Sequence, residues 1–377
     1  MMNEAQRLTR EMTRTFARER IWPGAAERDR TARPPLGLLR EMGDLGLMGM
    51  CVPEAWGGSG ADFVSYILAI EEVAAGDGAV STIMSVNNSP VCAAIAGYGT
   101  EAQKERFLRP LARGEEIGAF ALTEPQAGSD AGAVQTRAFD NGDRFVLNGA
   151  KQFITSGSIA SCALVFAVTD PELGRRGISC FIVPTDTAGY TVARIEEKLG
   201  QHCSDTCQVI LDDVAVGPEL MLGGRGDGYR IALANLESGR IGIGAQAVGM
   251  ARSAFECALE YAKVRETFGA AIINHQAVAF RLADMATQLE AARGLVLSAA
   301  RLKDGAEPCL KEASMAKLFA SEMAERVCSD AIQVHGGYGY VRDFPVERIY
   351  RDVRVCQIYE GTSDVQRIVI SRALTAG

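Results

Sequence analysis

The chain has 377 residues, of which 47% are hydrophobic and 23% charged, proportions typical of a globular protein with a large core. The formal net charge is −8 and no block of Lys and Arg stands out, so we expect no nucleic-acid partner. No apolar run reaches the ~18 residues of a membrane span. The N-terminus carries no apolar signal region, so we expect a cytoplasmic protein without membrane insertion.

Cysteine and histidine are arranged in a way that argues against metal chemistry. The ten cysteines are scattered, and the closest pair, Cys203 and Cys207, has no second pair beside it. The three histidines, His202, His275 and His335, form no His-Glu-x-x-His pattern. We therefore expect free thiols in a reducing compartment and no metal site.

Residues 1–115 are predicted to be helical. Apolar residues recur at helical spacing in residues 38–48 and again in residues 64–73, on either side of a glycine-rich turn at residues 52–60. Residues 84–89 place small and polar side chains inside an otherwise buried-looking helix. They either line a cavity or form a locally hydrogen-bonded bend, and the sequence favours neither.

From about residue 116 the pattern changes to short β-branched and aromatic runs separated by turn residues. Asn141-Gly142 and Asn148-Gly149 are hairpin signals. No long helical pattern separates the runs, which argues against a parallel sheet. We therefore predict a middle antiparallel β domain or small barrel over residues 116–222.

Residues 223–377 are predicted to be helical again. Val278, Leu282, Met285, Leu289 and Val296 form an apolar stripe, and short connections between long helices indicate an antiparallel bundle. The predicted fold class is therefore α+β multidomain, with a helical domain over 1–115, a β domain over 116–222 and a helical domain over 223–377.

Glu360 is the first candidate for chemistry. It lies after an Ile-Tyr pair and before Gly361, where partial desolvation would raise the pKa of the carboxyl and make it a better base near neutral pH. Gly361 would let a substrate approach the backbone. The alternative is a surface residue at a helix start, with Thr362 or Ser363 as the N-cap.

Two loops are further candidates. The sequence TEPQAGSD at residues 123–130 offers hydroxyls and backbone N–H groups to a phosphate or a polar ring edge, and its alternative is an Asx-rich turn. The sequence QVHGG at residues 333–337 is the second candidate loop, and its alternative is a helix C-cap that has glycine in the left-handed region.

Together these pieces resemble the acyl-CoA dehydrogenase family, in the same order along nearly the whole chain. The motifs are VPEAWGG (52–58), TEPQAGSD (123–130), QHCSDT (201–206), RETFG (265–269), QVHGGYG (333–339) and YRD with EGT (350–362). The resemblance implies an N-terminal helical domain, a middle β domain, a C-terminal four-helix bundle and a homotetramer.

The resemblance also implies FAD. The family often has Trp where this chain has Phe153, which still packs on a ring but lacks an indole N–H. Arg265 would supply a charged fork to the pyrophosphate, in part across a subunit boundary. The implied cofactor residues are Phe120, Leu122, Thr123, Ser129, Phe153, Ile154, Thr155, Arg265, Phe268, Gln276, Gln333, Gly336, Gly337, Thr362 and Asp364.

The implied reaction is α,β-dehydrogenation of an acyl-CoA thioester. Glu360 would remove the α-proton, while its backbone N–H would help to hold the thioester oxygen. Electrons would pass to an electron-transferring flavoprotein. Some branches of the family carry the base at the position of Gly239, where this chain has no carboxylate. The implied substrate contacts are Ser129, Glu237, Arg240, Tyr359 and Gly361; for Glu237 and Arg240 the alternative is a helix-surface ion pair.

Residues 81–89 and 177–184 are most similar to the short-chain and short branched-chain members, so we expect a C4 to C5 acyl group. Met84 and Tyr359 would limit the depth of the pocket. Two other functions stay open. One is an oxidase or elimination reaction on the same fold, and the other is a catalytically silent acyl-CoA-binding protein. Retention of Glu360 argues against a lyase that does without the base.

Overall fold

Helices occupy the chain up to the first strand in the computed structural model, which describes residues 2–375. They are α1 (Glu4–Phe16), α2 (Ala25–Thr31), α3 (Leu36–Asp44), α4 (Phe63–Gly76), α5 (Gly78–Val86), α6 (Ala93–Tyr98), α7 (Glu101–Gln103) and α8 (Arg109–Ala112). α1 begins with a capping box between Asn3 and Gln6. α4 begins at the N-cap Asp62 and is buried on almost every side, which explains why its sequence is apolar throughout.

The polar stretch at residues 84–89 forms a hydrogen-bonded bend. Helix α5 ends at Val86, within this stretch, and a π-helical turn follows over Asn87–Cys92. The Asn87 amide donates to the carbonyl oxygen of Met48 at 2.9 Å, and the Asn88 amide donates to that of Leu47 at 2.9 Å. Of the two alternatives, the bend is therefore the one that these two asparagines adopt.

The middle of the chain forms one mixed sheet. Its strands are β1 (Gly118–Ala121), β2 (Arg137–Asp140), β3 (Phe145–Thr155), β4 (Cys162–Val168), β5 (Ile178–Pro184), β6 (Tyr190–Ile195), β7 (Thr206–Val216) and β8 (Met221–Leu222). Their order is β6-β7-β3-β2-β4-β5-β8, and β1 lies beside β4. The predicted antiparallel β domain is corrected at one strand, because β4 pairs in parallel with β1 and, at one position, with β2. The β2–β3 hairpin lies between β1 and β4 in sequence and gives the chain the length it needs to return in the same direction without a helix.

One of the two hairpin signals is correct. The Asn141 N–H donates to the Arg144 carbonyl at 2.9 Å in the turn between β2 and β3. Asn148-Gly149 instead lies inside β3, at a register shift against β7. A Cβ on Gly149 would lie 2.4 Å from the Thr136 hydroxyl, so this glycine allows a neighbouring segment to approach rather than the chain to turn.

The C-terminal part is helical apart from a short hairpin of β9 (Glu266–Thr267) and β10 (Ala270–Ala271). Its helices are α9 (Gly228–Val264), α10 (Gln276–Asp304), α11 (Leu310–His335), α12 (Val346–Val353) and α13 (Ser363–Thr375). α9, α10 and α11 pack on one another, and α13 packs on α11. Within residues 2–375, every helix is too short or too polar to cross a membrane. The order of helices, sheet and helices is as predicted, while the domain bounds stay a prediction.

Buried acidic residues on α4 connect the N-terminal helices to the bundle. Glu72 accepts from Arg14 at 2.8 Å and from Arg252 at 2.6 Å, and Glu71 accepts from Arg293 at 2.8 Å. These ion pairs join α4 to α1, α9 and α10. They fix the position of α9, which forms one wall of the candidate site.

Candidate active site

Glu360 lies in a tight turn between the 3-10 helix Arg354–Gln357 and α13. We call residues 360–361 the base turn; Glu360 has φ +54° and Gly361 has φ +87°. The Glu360 side chain is half-buried, and its Oε2 is buried without a hydrogen-bond partner in the described part of the chain. Burial raises the pKa of Glu360 to about 7, against the opposing charges of Arg240 and Lys317. The carboxyl is therefore suited to accept a proton near neutral pH.

The alternative of a surface residue at a helix start is wrong for Glu360, although the predicted cap is present. The Val365 N–H donates to the Thr362 hydroxyl at 3.3 Å, so Thr362 caps α13. Asp364, in the first turn of the same helix, is 90% exposed and pairs with Arg367 at 3.4 Å.

Gly239 on α9 faces the carboxylate directly. A Cβ at this position would lie 2.2 Å from Glu360 Oε2, closer than two atoms can approach. Gly242, one turn further along α9, has room: its Cβ would lie 3.4 Å from the Ser85 hydroxyl and 3.7 Å from that of Tyr66. The missing side chain at residue 239 therefore makes the space that the Glu360 carboxylate occupies.

Two buried side chains that the sequence analysis missed hold the base turn. Lys317 Nζ donates to the Gly361 carbonyl at 2.7 Å. The Gln366 amide donates to the same carbonyl at 2.8 Å and to that of Glu360 at 3.1 Å. Burial lowers the pKa of Lys317 to about 8. Lys317 was missed because a lone lysine on a helix is most often solvated; the signal for it is its place among alanines of the buried face of α11.

Tyr359 is held by a buried polar network. Its hydroxyl donates to Gln246 of α9, whose amide donates to the Ser81 hydroxyl at 2.8 Å. Thr82, beside Ser81, donates to Gln201 at 2.6 Å. This network joins the turn that carries Glu360 to α5 and to the QHCSDT motif, and it fixes the aromatic ring that was predicted to limit the pocket.

Glu237 and Arg240 do not form the surface ion pair that was their alternative. Glu237 pairs with Lys303 at 3.4 Å and accepts from the Cys309 thiol at 3.6 Å. Arg240 is buried, and its guanidinium donates to the Ser314 hydroxyl at 3.4 Å. The buried Arg240 Nε has no partner among the described residues and remains available to a bound group.

The predicted flavin loop is anchored by a buried ion pair. Lys151 Nζ lies 2.7 Å from the Glu124 carboxylate and also donates to the Leu122 carbonyl at 3.2 Å. Glu124 accepts from the Thr136 N–H at 3.0 Å. The sequence analysis missed this pair, because a Lys and a Glu far apart in the chain carry no signal that they meet. The loop at residues 123–130 is thus shaped by a charged anchor rather than by an Asx-type turn alone.

Several predicted cofactor residues come together at this loop. The Gln152 N–H donates to the Thr123 carbonyl at 2.9 Å, which places the end of β3 beside the end of β1. Phe153 has φ +59° and is 62% exposed, so its ring is open to a ligand. The residues of this first group are Phe120, Leu122, Thr123, Phe153, Ile154 and Thr155, with Ser129 exposed on the loop.

A second group surrounds a cleft of about 640 Å³ at the ends of the bundle helices, lined by Arg265, Gly336 and Gly337 among others. Phe268 is 99% exposed. Gly336 ends α11 with φ +59°, so the C-cap alternative is correct, and no atom lies within 4 Å of a Cβ built on Gly336 or Gly337. The exposed Gln276 and Gln333 complete the group.

These two groups suit the two kinds of surface that a dinucleotide presents. An exposed aromatic ring and hydroxyls suit a flat polar ring system, and the Arg265 cation beside open glycine backbone suits a pyrophosphate. Among residues 2–375, no hydrogen bond or ion pair links the first group to the second. The residues present therefore fit FAD, with the first group suited to its ring system and the second group to its pyrophosphate.

Models of three acyl-CoA dehydrogenase domains match the chain: the N-terminal domain over residues 3–115, the middle domain over 119–214 and the C-terminal domain over 226–375. The mitochondrial short-chain specific acyl-CoA dehydrogenase of Bos taurus is 46% identical over 98% of this chain and 89% of the bovine protein. The chain belongs to the acyl-CoA dehydrogenase family. The resemblance in motifs, the fold class and the assignment as an oxidoreductase are thereby confirmed.

Two solved structures are similar to this acyl-CoA dehydrogenase over their whole length. Butyryl-CoA dehydrogenase from Megasphaera elsdenii has a TM-score of 0.97 and 43% identity, covering 100% of this chain and 99% of its own. A chain from a structure of the electron transferring flavoprotein of Acidaminococcus fermentans has a TM-score of 0.98 and 45% identity, with the same coverage of 100% and 99%.

Proposed function

We propose that this acyl-CoA dehydrogenase oxidises a short-chain acyl-CoA of about C4 to C5 to the 2-enoyl-CoA, with Glu360 as the base. The observation that carries the proposal is the Glu360 carboxyl itself. Its Oε2 is buried without a partner, and burial raises its pKa to about 7. A buried carboxylate that no protein group neutralises is a stronger base than a solvated one.

The proton step follows from the base turn. Deprotonated Glu360 takes the α-proton, and the negative charge that develops on the thioester oxygen needs a donor. Within the described residues, the Glu360 backbone N–H donates to no carbonyl. The same residue thus supplies the base and one oxyanion donor.

FAD, when bound, supplies the hydride acceptor. The first group of cofactor residues would hold its ring system and the second group the pyrophosphate. We propose that a second copy completes each site and that the protein is a homotetramer, as the resemblance to the family implies. The almost fully exposed Phe268 ring supports this, since it would be covered by a neighbouring subunit.

The short-chain assignment rests on the relatives and on the anchored tyrosine. Both the bovine relative and the Megasphaera elsdenii structure carry names of short-chain enzymes. Tyr359 is fixed by Gln246, and Met84 is fully buried in α5, which supports the proposal that these two side chains limit the depth of the acyl pocket. We further propose an electron-transferring flavoprotein as electron acceptor, supported by the similar chain from Acidaminococcus fermentans, and a cytoplasmic location.

Anaerobic bleaching of the flavin absorbance across acyl-CoA chain lengths tests this function. We expect butyryl-CoA, or a five-carbon branched acyl-CoA, to bleach the flavin with the highest efficiency. A faster reaction with the twelve-carbon thioester would contradict the short-chain proposal. Hydrogen peroxide output at the full turnover rate would indicate an oxidase, and a colourless protein without FAD would indicate a silent acyl-CoA-binding protein.

A further inference from the structure

Lys317 is a buried cation without a described ion-pair partner. Its side chain is fully buried in α11, and its described hydrogen bond goes to an uncharged group, the Gly361 carbonyl, at 2.7 Å. Burying an ammonium group that makes no direct ion pair is costly, and an apolar side chain of similar size would pack there at lower cost. The hydrogen bond of Lys317 to the base turn therefore indicates that this lysine has a function in that turn.

Gln366 contacts the same turn from α13, which follows the turn in sequence, whereas Lys317 precedes it. It is fully buried in the first turns of α13, and its amide donates to the carbonyls of both Glu360 and Gly361. Two consecutive carbonyls of the base turn thus receive three hydrogen bonds from two buried side chains. This exceeds what an ordinary loop of two residues receives, because loop carbonyls usually bond to water.

The conformation of the base turn needs such support. Glu360 has φ +54°, in the left-handed region that is unfavourable for a residue with a Cβ. A strained residue keeps this conformation only when surrounding contacts over-determine it. In the left-handed conformation the Glu360 carboxylate meets Gly239, and the Glu360 backbone N–H donates to no carbonyl of residues 2–375.

We propose that Lys317 and Gln366 are positioning residues, which hold the base turn by its carbonyls and thereby aim the Glu360 carboxylate and N–H at the substrate. This inference rests on the proposed role of Glu360 as the base. One face of α11 supports the surroundings as well. Ser314, one turn before Lys317, accepts from Arg240 at 3.4 Å, and the Ser321 carbonyl, one turn after it, accepts from Gln357 at 3.4 Å.

Lys317 also acts on Glu360 through its charge. Glu360 is faced by Arg240 from α9 and by Lys317 from α11, and both lower its pKa against the effect of burial. Lys317 is itself faced by Cys356, Glu360, Arg240 and Glu322. Replacing Lys317 by an uncharged residue leaves Arg240 to oppose burial, so the pKa of Glu360 rises above about 7. Replacing Gln366 removes hydrogen bonds but no charge, so it leaves this pKa in place.

The test compares Lys317→Met and Gln366→Met with the matched control Ser321→Ala on the same face of α11. The pKa of Glu360 is read from its infrared carboxyl band, identified by subtracting the spectrum of Glu360→Gln, across a pH titration of the FAD-loaded enzyme. Anaerobic flavin bleaching by butyryl-CoA is measured in parallel. We expect both Met variants to keep FAD and to bleach roughly 10- to 100-fold more slowly, as small misplacements of a catalytic group do. We expect an upward pKa shift of about one unit in Lys317→Met alone, and no change in Ser321→Ala.

Wild-type bleaching rates in both Met variants, with an unshifted carboxyl titration, would overturn the inference. If Lys317→Met does not fold, Lys317→Gln decides. It retains a donor, so it should bleach at close to the wild-type rate while still shifting the pKa of Glu360. A folded Lys317→Gln enzyme that bleaches roughly 10- to 100-fold more slowly than wild type contradicts positioning through the carbonyl. Failure of wild-type protein to react with any acyl-CoA would refute the proposed function. In that case the infrared titration of the Lys317 and Gln366 variants still decides whether Lys317 acts on Glu360.

Discussion

Gly239→Ala is expected to slow catalysis while the fold becomes no less stable. The added Cβ would lie 2.2 Å from Glu360 Oε2, whereas ordinary contacts begin at 3.4 Å. The carboxylate must therefore retreat by about 1 Å or more, and a misplacement of that size costs roughly 10²-fold in rate. The atom it meets is the far end of a flexible side chain, so the backbone of α9 has no reason to move. Alanine also gains up to about 1 kcal/mol over glycine inside a helix.

The rate and the stability should therefore change in opposite directions, which separates this effect from general damage. Stopped-flow bleaching by butyryl-CoA measures the rate, and thermal unfolding measures the stability. Gly242→Ala is the matched control on the same face of α9, because its Cβ would meet other atoms only at 3.4 Å and 3.7 Å. A Gly239→Ala enzyme that bleaches as fast as Gly242→Ala would refute the account of the space at residue 239.

The remaining predictions concern pH, relocation of the base and assembly. The bleaching rate should rise as pH increases through about 7, since burial raises the pKa of Glu360 and the base acts only when deprotonated; a flat profile from pH 5 to 9 would contradict this. In Glu360→Gly, the second change Gly239→Glu should recover part of the lost rate, because a side chain at residue 239 starts where the Glu360 carboxylate lies. A double variant that bleaches no faster than Glu360→Gly would count against this prediction. Phe268→Ala should lose FAD and assemble less well in light scattering, because the ring is 99% exposed in one chain; a stable tetramer with full FAD content would argue against a role between subunits.

The helices and the candidate base could be proposed from the sequence because both depend on local sequence. Helical periodicity extends over many residues, and Glu360 stands out beside Gly361 in an apolar setting. The parallel pairing of β1 with β4 was not predictable, since pairing between distant strands leaves no local pattern. Gly149 was taken for a turn because the same residue type serves both a turn and a close approach.

The supports of the site were the least predictable part. Lys317, Gln366 and the pair of Lys151 with Glu124 are charged or polar residues that a composition-based analysis assigns to the surface. Each is buried because a partner far away in sequence meets it. Only the folded chain shows that such residues hold the backbone that carries the candidate chemistry.

Glu360 is proposed as the base of a short-chain acyl-CoA dehydrogenase. The most direct measurement is the anaerobic stopped-flow bleaching rate of Glu360→Gln with butyryl-CoA, since glutamine keeps the size of the side chain but cannot take the proton. We predict that this variant retains FAD, binds butyryl-CoA and bleaches slower than wild type by roughly 10²–10⁴-fold. A wild-type rate in Glu360→Gln, together with a loss of rate in Glu237→Gln, would contradict the claim.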